Sequence, residues 1–394
     1  LKMNTCVVVG GGYAGINAVQ AICKTMGERI TDRTMRVILI DKEPHHLRKV
    51  LLFKPAAQEE KIALPLNQVV PSEVQVIQGT VAGLNGTERN LMYFDQAGGQ
   101  QYLNYDFLVL ALGSTVRCAD PALGGIALNS LEAAESIREM WRANLKKAQH
   151  EKGKDERQRL MSLAVAGAGI SGIETSAELA HAMREEASRL GLDPEFVKVY
   201  LVNAKHALFP EGPAKMGHKL ERALQDLGVT VINGQKALRA HNNKVELSGG
   251  SAIHAGLCVW TLGLVPNPLL GSLGLPLSAK GQLIVDASYR VAGMKGVYSI
   301  GDCAHIVDPQ SGRADMMTCK EAKGQAARLG KVMLADLQGK PAPVHKSYMD
   351  IFCIGLGPGK GMVWTRQCGV NIILEGKLGW KFRQMTWNIA SLIK

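Results

Sequence analysis

Aromatic residues are scarce, at 5% of 394 positions, and no run of ~20 consecutive apolar residues occurs, so a membrane-spanning helix is not expected. The eight cysteines, Cys6, Cys23, Cys118, Cys258, Cys303, Cys319, Cys353 and Cys368, are scattered singly. None falls into C-x-x-C or C-x-x-x-x-C spacing, which excludes the usual zinc and dithiol motifs and leaves no metal site to expect. Nucleic-acid signatures of the RNP, zinc-finger or helix-turn-helix kind are also missing, so nucleic acid is not an expected partner. The first strand starts within about seven residues of the first position, which reads as a cytoplasmic chain without a signal peptide. Charge is one-sided: 46 Lys and Arg stand against 35 Asp and Glu, a net +11. That excess favours anionic partners, either nucleotide phosphates or an acidic membrane face.

Glycine, by contrast, is abundant, with 43 residues, and one glycine signature occurs twice. The first copy is Val7-Val8-Val9-Gly10-Gly11-Gly12-Tyr13-Ala14-Gly15, and the second is Leu163-Ala164-Val165-Ala166-Gly167-Ala168-Gly169-Ile170-Ser171-Gly172. Each is G-x-G-x-x-G leaving an apolar strand and opening a helix, the context that makes the motif a dinucleotide fingerprint. The glycines allow a tight turn, close approach of backbone N–H groups to a pyrophosphate, and tight helix–strand packing. Their separation of roughly 150–160 residues fits two domains of ordinary size. Two dinucleotides in one chain point to electron transfer between them.

The first unit reads as strand Thr5–Val9, helix from Ala14 to about Met26, and strand Met35–Ile40 closed by Asp41. An acid at that strand end can accept both hydroxyls of an adenosine ribose. Tyr105–Leu112, closed by Gly113 and Ser114, reads as a buried parallel strand bordering a ligand. Residues 131–160 are helical and charged, ending in a solvated connector at 151–157. The second unit reads as strand Ser162–Ala166, helix Ile173–Arg189 and strand Lys198–Val202. Cys258–Leu262 with Gly263 repeats the strand-then-glycine device. Gly296–Asp302 is a further buried strand with an acid at its tip, followed by a helix from about Thr318 to Asp336. Gly339-Lys340-Pro341-Ala342-Pro343 then links to a C-terminal module.

In this order the elements resemble the two-dinucleotide flavoprotein reductases, and within them the type II NADH:quinone oxidoreductases, over nearly the whole chain. The most specific segment is 41–56. It matches that family's D-K-x-x-x-H-x-x-x-P-L-L-Y-x-x-A at Asp41, Lys42, His46, Leu51, Leu52 and Ala56, with Val50 and Phe53 replacing the proline and tyrosine. A disulfide reductase would carry its cysteine pair in the helix after this acid, and none is present.

The resemblance implies an α/β fold with a discontinuous FAD domain (1–120 and 285–340), an inserted NAD(P)H domain (121–284) and a small α+β module (341–394). It implies FAD on Gly10, Gly12, Tyr13, Ala14, Gly15, Asp41, Lys42, His46, Leu51, Val81, Ala111, Gly113, Gly301, Asp302, Thr318 and Cys319. Asp302 would bind the ribityl chain. It implies NADH or NADPH on Gly167, Gly169, Ile170, Ser171, Gly172, Glu174, Asn203 and Gly263, with Glu174 where nicotinamide and isoalloxazine meet.

Two positions depart from the family pattern. Asn203 stands where an NADH-specific site carries an acid, and Lys205 and His206 follow, so the choice between NADH and NADPH is open. Where the quinone-facing helix of the family begins P-P-T-A-Q-x-A-x-Q-Q, this chain has Met316-Met317-Thr318-Cys319-Lys320-Glu321-Ala322-Lys323-Gly324-Gln325. Lys320 replaces a glutamine and adds a cation that would stabilise an anionic reduced flavin, which makes it, with Glu174, a candidate catalytic residue. Hydride from NAD(P)H onto FAD N5 and electrons onward to a quinone is the expected activity. Alternatives are a soluble reductase or oxidase acting on a small aromatic metabolite or oxygen, a sulfide:quinone-type enzyme using Cys319 and Cys353, and a slow redox sensor.

In the tail, Leu378, Phe382, Met385, Ile389, Leu392 and Ile393 form one helical stripe, with Lys377, Lys381, Arg383 and Lys394 as cations for acidic lipid. Trp380 and Trp387 fall opposite that stripe. Membrane contact at the cytoplasmic face, docking onto the protein's own body, and a homodimer contact all remain open.

Overall fold

The computed structural model describes residues 3–117 and 120–390. Cys118, together with Leu392 and Ile393 of the expected tail stripe and Lys394 of its expected cations, lies outside the described residues. Strand Asn4–Val9 is buried from Thr5 onward, as a strand covered on both faces must be. It centres a fully parallel sheet in the order Val297–Ser299, Phe107–Leu110, Asn4–Val9, Met35–Asp41, Gln75–Gln78. Helices Tyr13–Thr25 and Cys319–Gln338 cover one face through Ile16, Val19, Ile22, Leu329, Val332 and Met333. The absent side chain of Gly330 lets them cross closely, since a Cβ there would meet Thr25 Oγ1 at 2.8 Å. An antiparallel meander, Thr80–Asn85, Asn90–Phe94 and Gln100–Asn104, covers the other face.

The second unit repeats this plan. Its parallel sheet runs Ile126–Ala127, Leu257–Trp260, Ser162–Ala166, Lys198–Asn203, Val229–Asn233. A meander of Ala237–His241, Lys244–Leu247 and Ala252–His254 occupies the equivalent place in the chain. The helix after the second glycine motif begins at Ile170, earlier than the expected Ile173, because the glycine turn itself supplies its first amides. Residues 131–160 fold as two helices, Leu131–His150 and Lys154–Leu160, so only the middle of the charged stretch is a connector.

Two short strands join the units: Ser114–Val116 and Leu264–Pro266 pair antiparallel. After the second crossing, Leu270, Leu273 and Leu283 pack with Val7, Val9 and Leu110. The chain therefore rejoins the first core ahead of residue 285.

The segment after the first acid does the opposite. Leu51, Phe53 and Ala56 leave the first unit's core and pack with Trp141, Ile173 and Ala177 of the second. Trp141 Nε1 donates to Ala56 O at 2.9 Å. Lys54 Nζ meets Glu178 Oε1 at 2.6 Å, with the two side chains 10% and 5% exposed. The C-terminal sheet (Ile351–Gly355, Gly361–Gln367, Val370–Glu375) and helix Gly376–Ala390 close over the same core through Ile354, Met362, Trp364 and Trp387. Phe209, from the loop after Asn203, packs edge-on against the stacked rings of Phe352 and Trp364 at ring distances of 5.1 and 5.8 Å, with φ +49°.

Removing one partner of the Lys54–Glu178 pair strands a buried charge. Lys54→Met should cost about 3–5 kcal/mol in urea unfolding, whereas Lys54→Met combined with Glu178→Leu should recover most of it. Equal losses in both variants would show that the pair is not the source.

Candidate functional site

Both glycine motifs adopt the same geometry at the C-terminal edge of their sheets. Gly10 and Gly167 have φ +109° and +117°, a region that favours glycine. A Cβ on Gly15 would lie 1.7 Å from Gly10 O, and one on Gly172 1.8 Å from Gly167 O. At Gly12 and Gly169, by contrast, a Cβ would meet nothing within 4 Å, so both turns present bare backbone to open space at a helix start. Such a cradle suits a pyrophosphate in each unit.

In the first unit, Asp41 sits at its strand tip as expected. Its Oδ2 accepts from Gly11 N at 2.5 Å and its Oδ1 from Glu43 N at 2.8 Å. His46 is 1% exposed and donates from Nδ1 to Gly11 O at 3.0 Å, while its Nε2 has no hydrogen-bond partner among the described residues. Tyr13 packs edge-on against it at 4.7 Å. At the far end, Asp302 Oδ2 accepts from Ser114 Oγ at 2.5 Å, and Ser114 O accepts from Lys49 Nζ at 2.9 Å. Burial pushes the Asp302 carboxyl up and the Lys49 ammonium down, and each group offsets part of the other's shift. The bare turn, an orphaned imidazole nitrogen and acids at both ends fit FAD laid along this edge.

Of the remaining expected contacts, Leu51, Val81 and Ala111 are buried, and Ala111 O abuts Gly10. Gly113 takes φ +65° and Gly263 φ +81°, each just before a crossing strand. Lys42 is exposed beside Glu43. Thr318 stands at the start of the Cys319–Gln338 helix, where Glu321 accepts from Met316 N at 2.9 Å and from Thr318 Oγ1 at 2.6 Å. Gln325 Oε1 accepts from Gly301 N at 2.7 Å, and its Nε2 donates to Asp315 at 2.8 Å. His345 Nε2 approaches Asp315 to 3.2 Å without hydrogen-bond alignment, and its Nδ1 lies 3.0 Å from Tyr289 OH. The linker thus reaches back to the strand tip that carries Asp302.

In the second unit, Glu174 is 2% exposed. Its Oε1 accepts from Gly355 N and from Arg383 Nε, both at 2.7 Å, and its Oε2 from Arg383 Nη2 at 2.8 Å. Arg383, read from the sequence as a cation for lipid, is therefore an inward partner of Glu174, and that expectation is corrected. A helical wheel carries the signal: Arg383 falls on the side of Trp380 and Trp387, over whose ring it lies at 4.8 Å, and not with Lys377 and Lys381. Burial pushes the Tyr13 hydroxyl and the Cys319 thiol upward, and the Arg383 guanidinium offsets part of each shift. One guanidinium thus links the second glycine helix to side chains of the first site.

Lys320 Nζ donates to Ile351 O and lies 4.1 Å from the Phe352 ring centre, so the structure directs it to the C-terminal sheet. Burial pushes the thiols of Cys319 and Cys353 upward, away from the reactive thiolate form. Between the Leu51–Ala57 segment and the last helix, a cavity of about 240 Å³ is lined by Arg48, Leu51, Lys54, Glu60, Trp380 and Trp387. Trp387 Nε1 is buried without a hydrogen-bond partner among the described residues.

Burial, its largest influence, lowers His46 from 6.5 to about 4. The unfolded chain binds a proton there that the native site refuses, so this stabilisation is complete above about pH 6.5 and is lost as pH falls toward 4. Thermal melts of the wild type should drop through that window, and those of His46→Asn should drop less. Parallel curves would remove His46 as the cause.

Comparison with known proteins follows this geometry. Residues 4–326 match the family model for pyridine nucleotide-disulphide oxidoreductases. Among curated proteins, the chain is 26% identical over 379 residues to a type II NADH:quinone oxidoreductase of Haemophilus influenzae, covering 87% of this chain and 83% of that one. It is 24% identical over 376 residues to oxidoreductase ptaL of Pestalotiopsis fici, covering 91% of each. Among solved structures, NDH2 of Plasmodium falciparum in complex with NADH superposes with a TM-score of 0.82 at 15% identity, over 100% of this chain and 97% of that one. A match over most of its length, on two cradles of one geometry, makes this chain a member of the pyridine nucleotide-disulphide oxidoreductase family.

Proposed function

We propose that this chain is an FAD-dependent NAD(P)H dehydrogenase that delivers electrons to a quinone-type acceptor. The observation that carries the reading is Arg383, which holds Glu174 of the second unit in a two-bond ion pair and lies over Trp387, whose ring packs on Phe53 from the segment after Asp41. FAD, when bound, supplies hydride acceptance at N5.

The chain's own residues bind, orient and exclude water. Gly10, Gly12 and Gly15 receive one pyrophosphate, and Gly167, Gly169 and Gly172 the other. Asp41 and Asp302 fix the first ligand at its two ends. Glu174, its charge balanced by Arg383 and Gly355 N, forms a rigid polar wall at the start of the second helix. The indoles of Trp380 and Trp387 keep that wall dry on the C-terminal side, and the free Trp387 N–H offers a donor to a carbonyl-bearing aromatic acceptor. The relatives named as quinone oxidoreductases support this class of acceptor, and the raised thiols of Cys319 and Cys353 do not favour sulfide chemistry.

A peripheral membrane position belongs to the same proposal. Trp387 is buried and Trp380 half-buried, which seats the last helix on the body, while Leu378, Met385 and Ile389 are 52%, 48% and 46% exposed. Exposed Lys377 and Lys381 flank that stripe. Among the described residues no helix is long and apolar enough to cross a membrane. An apolar stripe edged by lysines is the geometry of an interfacial helix.

Stopped-flow mixing should bleach the visible flavin band with NADH or NADPH, and failure with both removes the dehydrogenase reading. Arg383→Ala should slow bleaching about ten- to a hundred-fold, since a misplaced wall spoils the approach geometry, and Arg383→Lys should restore part of the rate. With anionic phosphatidylglycerol vesicles, the wild type should co-sediment and a Leu378→Glu, Met385→Glu, Ile389→Glu variant should stay in solution. A wild type that stays in solution overturns the membrane position.

A further inference from the structure

The two glycine units invite a comparison at the tip of the second strand, where adenosine ribose specificity is set. In the first unit, Asp41 keeps a carboxylate at that tip. In the second, Asn203 is 4% exposed, and its amide is spent inside the protein. Nδ2 donates to Ala207 O at 3.0 Å and to Asn233 Oδ1 at 2.8 Å, and Oδ1 accepts from Lys205 N at 3.1 Å. Asn203 therefore braces its own turn, with no free donor hydrogen for a ribose.

Ala204, Lys205, His206 and Ala207 form the exposed rim that follows. Two alanines leave room, and two basic side chains border it. Two acids lie nearby. Glu211 pairs with Lys205 at 3.0 Å across an exposed contact, and Glu221 sits behind Asn233, accepting from its Nδ2 at 2.7 Å. An exposed pair of that kind contributes little in water, so a doubly charged phosphate can take the lysine from it.

We propose that this rim is a 2′-phosphate subsite and that the second site takes NADPH at least as well as NADH, with Lys205 and His206 as the phosphate contacts. The assignment rests on the second cradle binding a nicotinamide nucleotide. The missing strand-tip carboxylate removes the repulsion that excludes a 2′-phosphate, and the buried amide leaves a free 2′-hydroxyl one neutral carbonyl lone pair in place of a charged acceptor. Phe209 fixes the loop that carries the rim against the C-terminal sheet, so the backbone bearing the cations is held before the nucleotide arrives.

Calorimetry on the flavin-loaded protein with 2′,5′-ADP and with 5′-AMP reads the subsite without turnover. Binding of 2′,5′-ADP should be at least ten-fold tighter, and the advantage should shrink as salt rises. Lys205→Ala, an exposed substitution that leaves the brace intact, should cut 2′,5′-ADP affinity at least five-fold and leave 5′-AMP within two-fold. Asn203→Asp should turn the NADPH-to-NADH ratio of flavin bleaching toward NADH by ten-fold or more. Equal binding of the two probes, or a Lys205→Ala variant with unchanged 2′,5′-ADP affinity, overturns the subsite. If NADH alone bleaches the flavin, the dehydrogenase reading stands without it. If neither nucleotide does, the dehydrogenase reading itself fails, which the probe titration does not decide.

Discussion

A carboxylate buried at the head of a helix must be compensated, and Glu174 is compensated from outside its own unit. The answering charge comes from Arg383 and the answering amide from Gly355, both in the C-terminal module. That requirement fixes which side of the last helix faces inward. Once Arg383 and Trp387 are turned toward Glu174, Leu378 and Met385 have nowhere to go but outward. The apolar outer stripe is thus a geometric result of an ion pair on the opposite side of the same helix. The Leu51–Ala57 segment depends on the same closure, because its apolar side chains are covered only where the second unit and the module meet.

The doubled plan extends beyond the glycines. Both units insert a three-stranded meander before a parallel strand that pairs with the glycine-motif strand (Phe107–Leu110 and Leu257–Trp260), and both follow that strand with a positive-φ glycine before crossing over. The crossings then pair with each other. Against this shared frame the differences stand out: a working acid at Asp41, and a self-satisfied amide at Asn203. The frame sets where a nucleotide lies, and the strand tip sets what its ribose may carry.

Local chemistry made much of this legible from residues alone. Gly10 and Gly167 announce their turns because few other residues tolerate that backbone, and the apolar strands around them show their period directly. Asp41 and Asp302 could be placed because each ends such a strand. Arg383 was misread because a charge on an amphipathic helix is solvated by default, and only its angular position beside Trp387 hints otherwise. The inward turn of Lys320 was hidden for a related reason, since its partners, Ile351 O and the Phe352 ring, come from a strand about thirty residues on. The change of allegiance at Leu51–Ala57 lay beyond sequence as well: apolar character says that a residue is covered, not by which core.

Phe209 gives the arrangement a further meaning. Its side chain belongs to the rim loop of one unit, but its packing belongs to a sheet at the other end of the chain, and its backbone sits in a conformation disfavoured for a large side chain. The nucleotide loop is therefore cast against a mould that comes later in the sequence. During synthesis the second cradle is complete in its glycines well before it is complete in its walls, and the site acquires its final shape only when the C-terminal sheet arrives to support it.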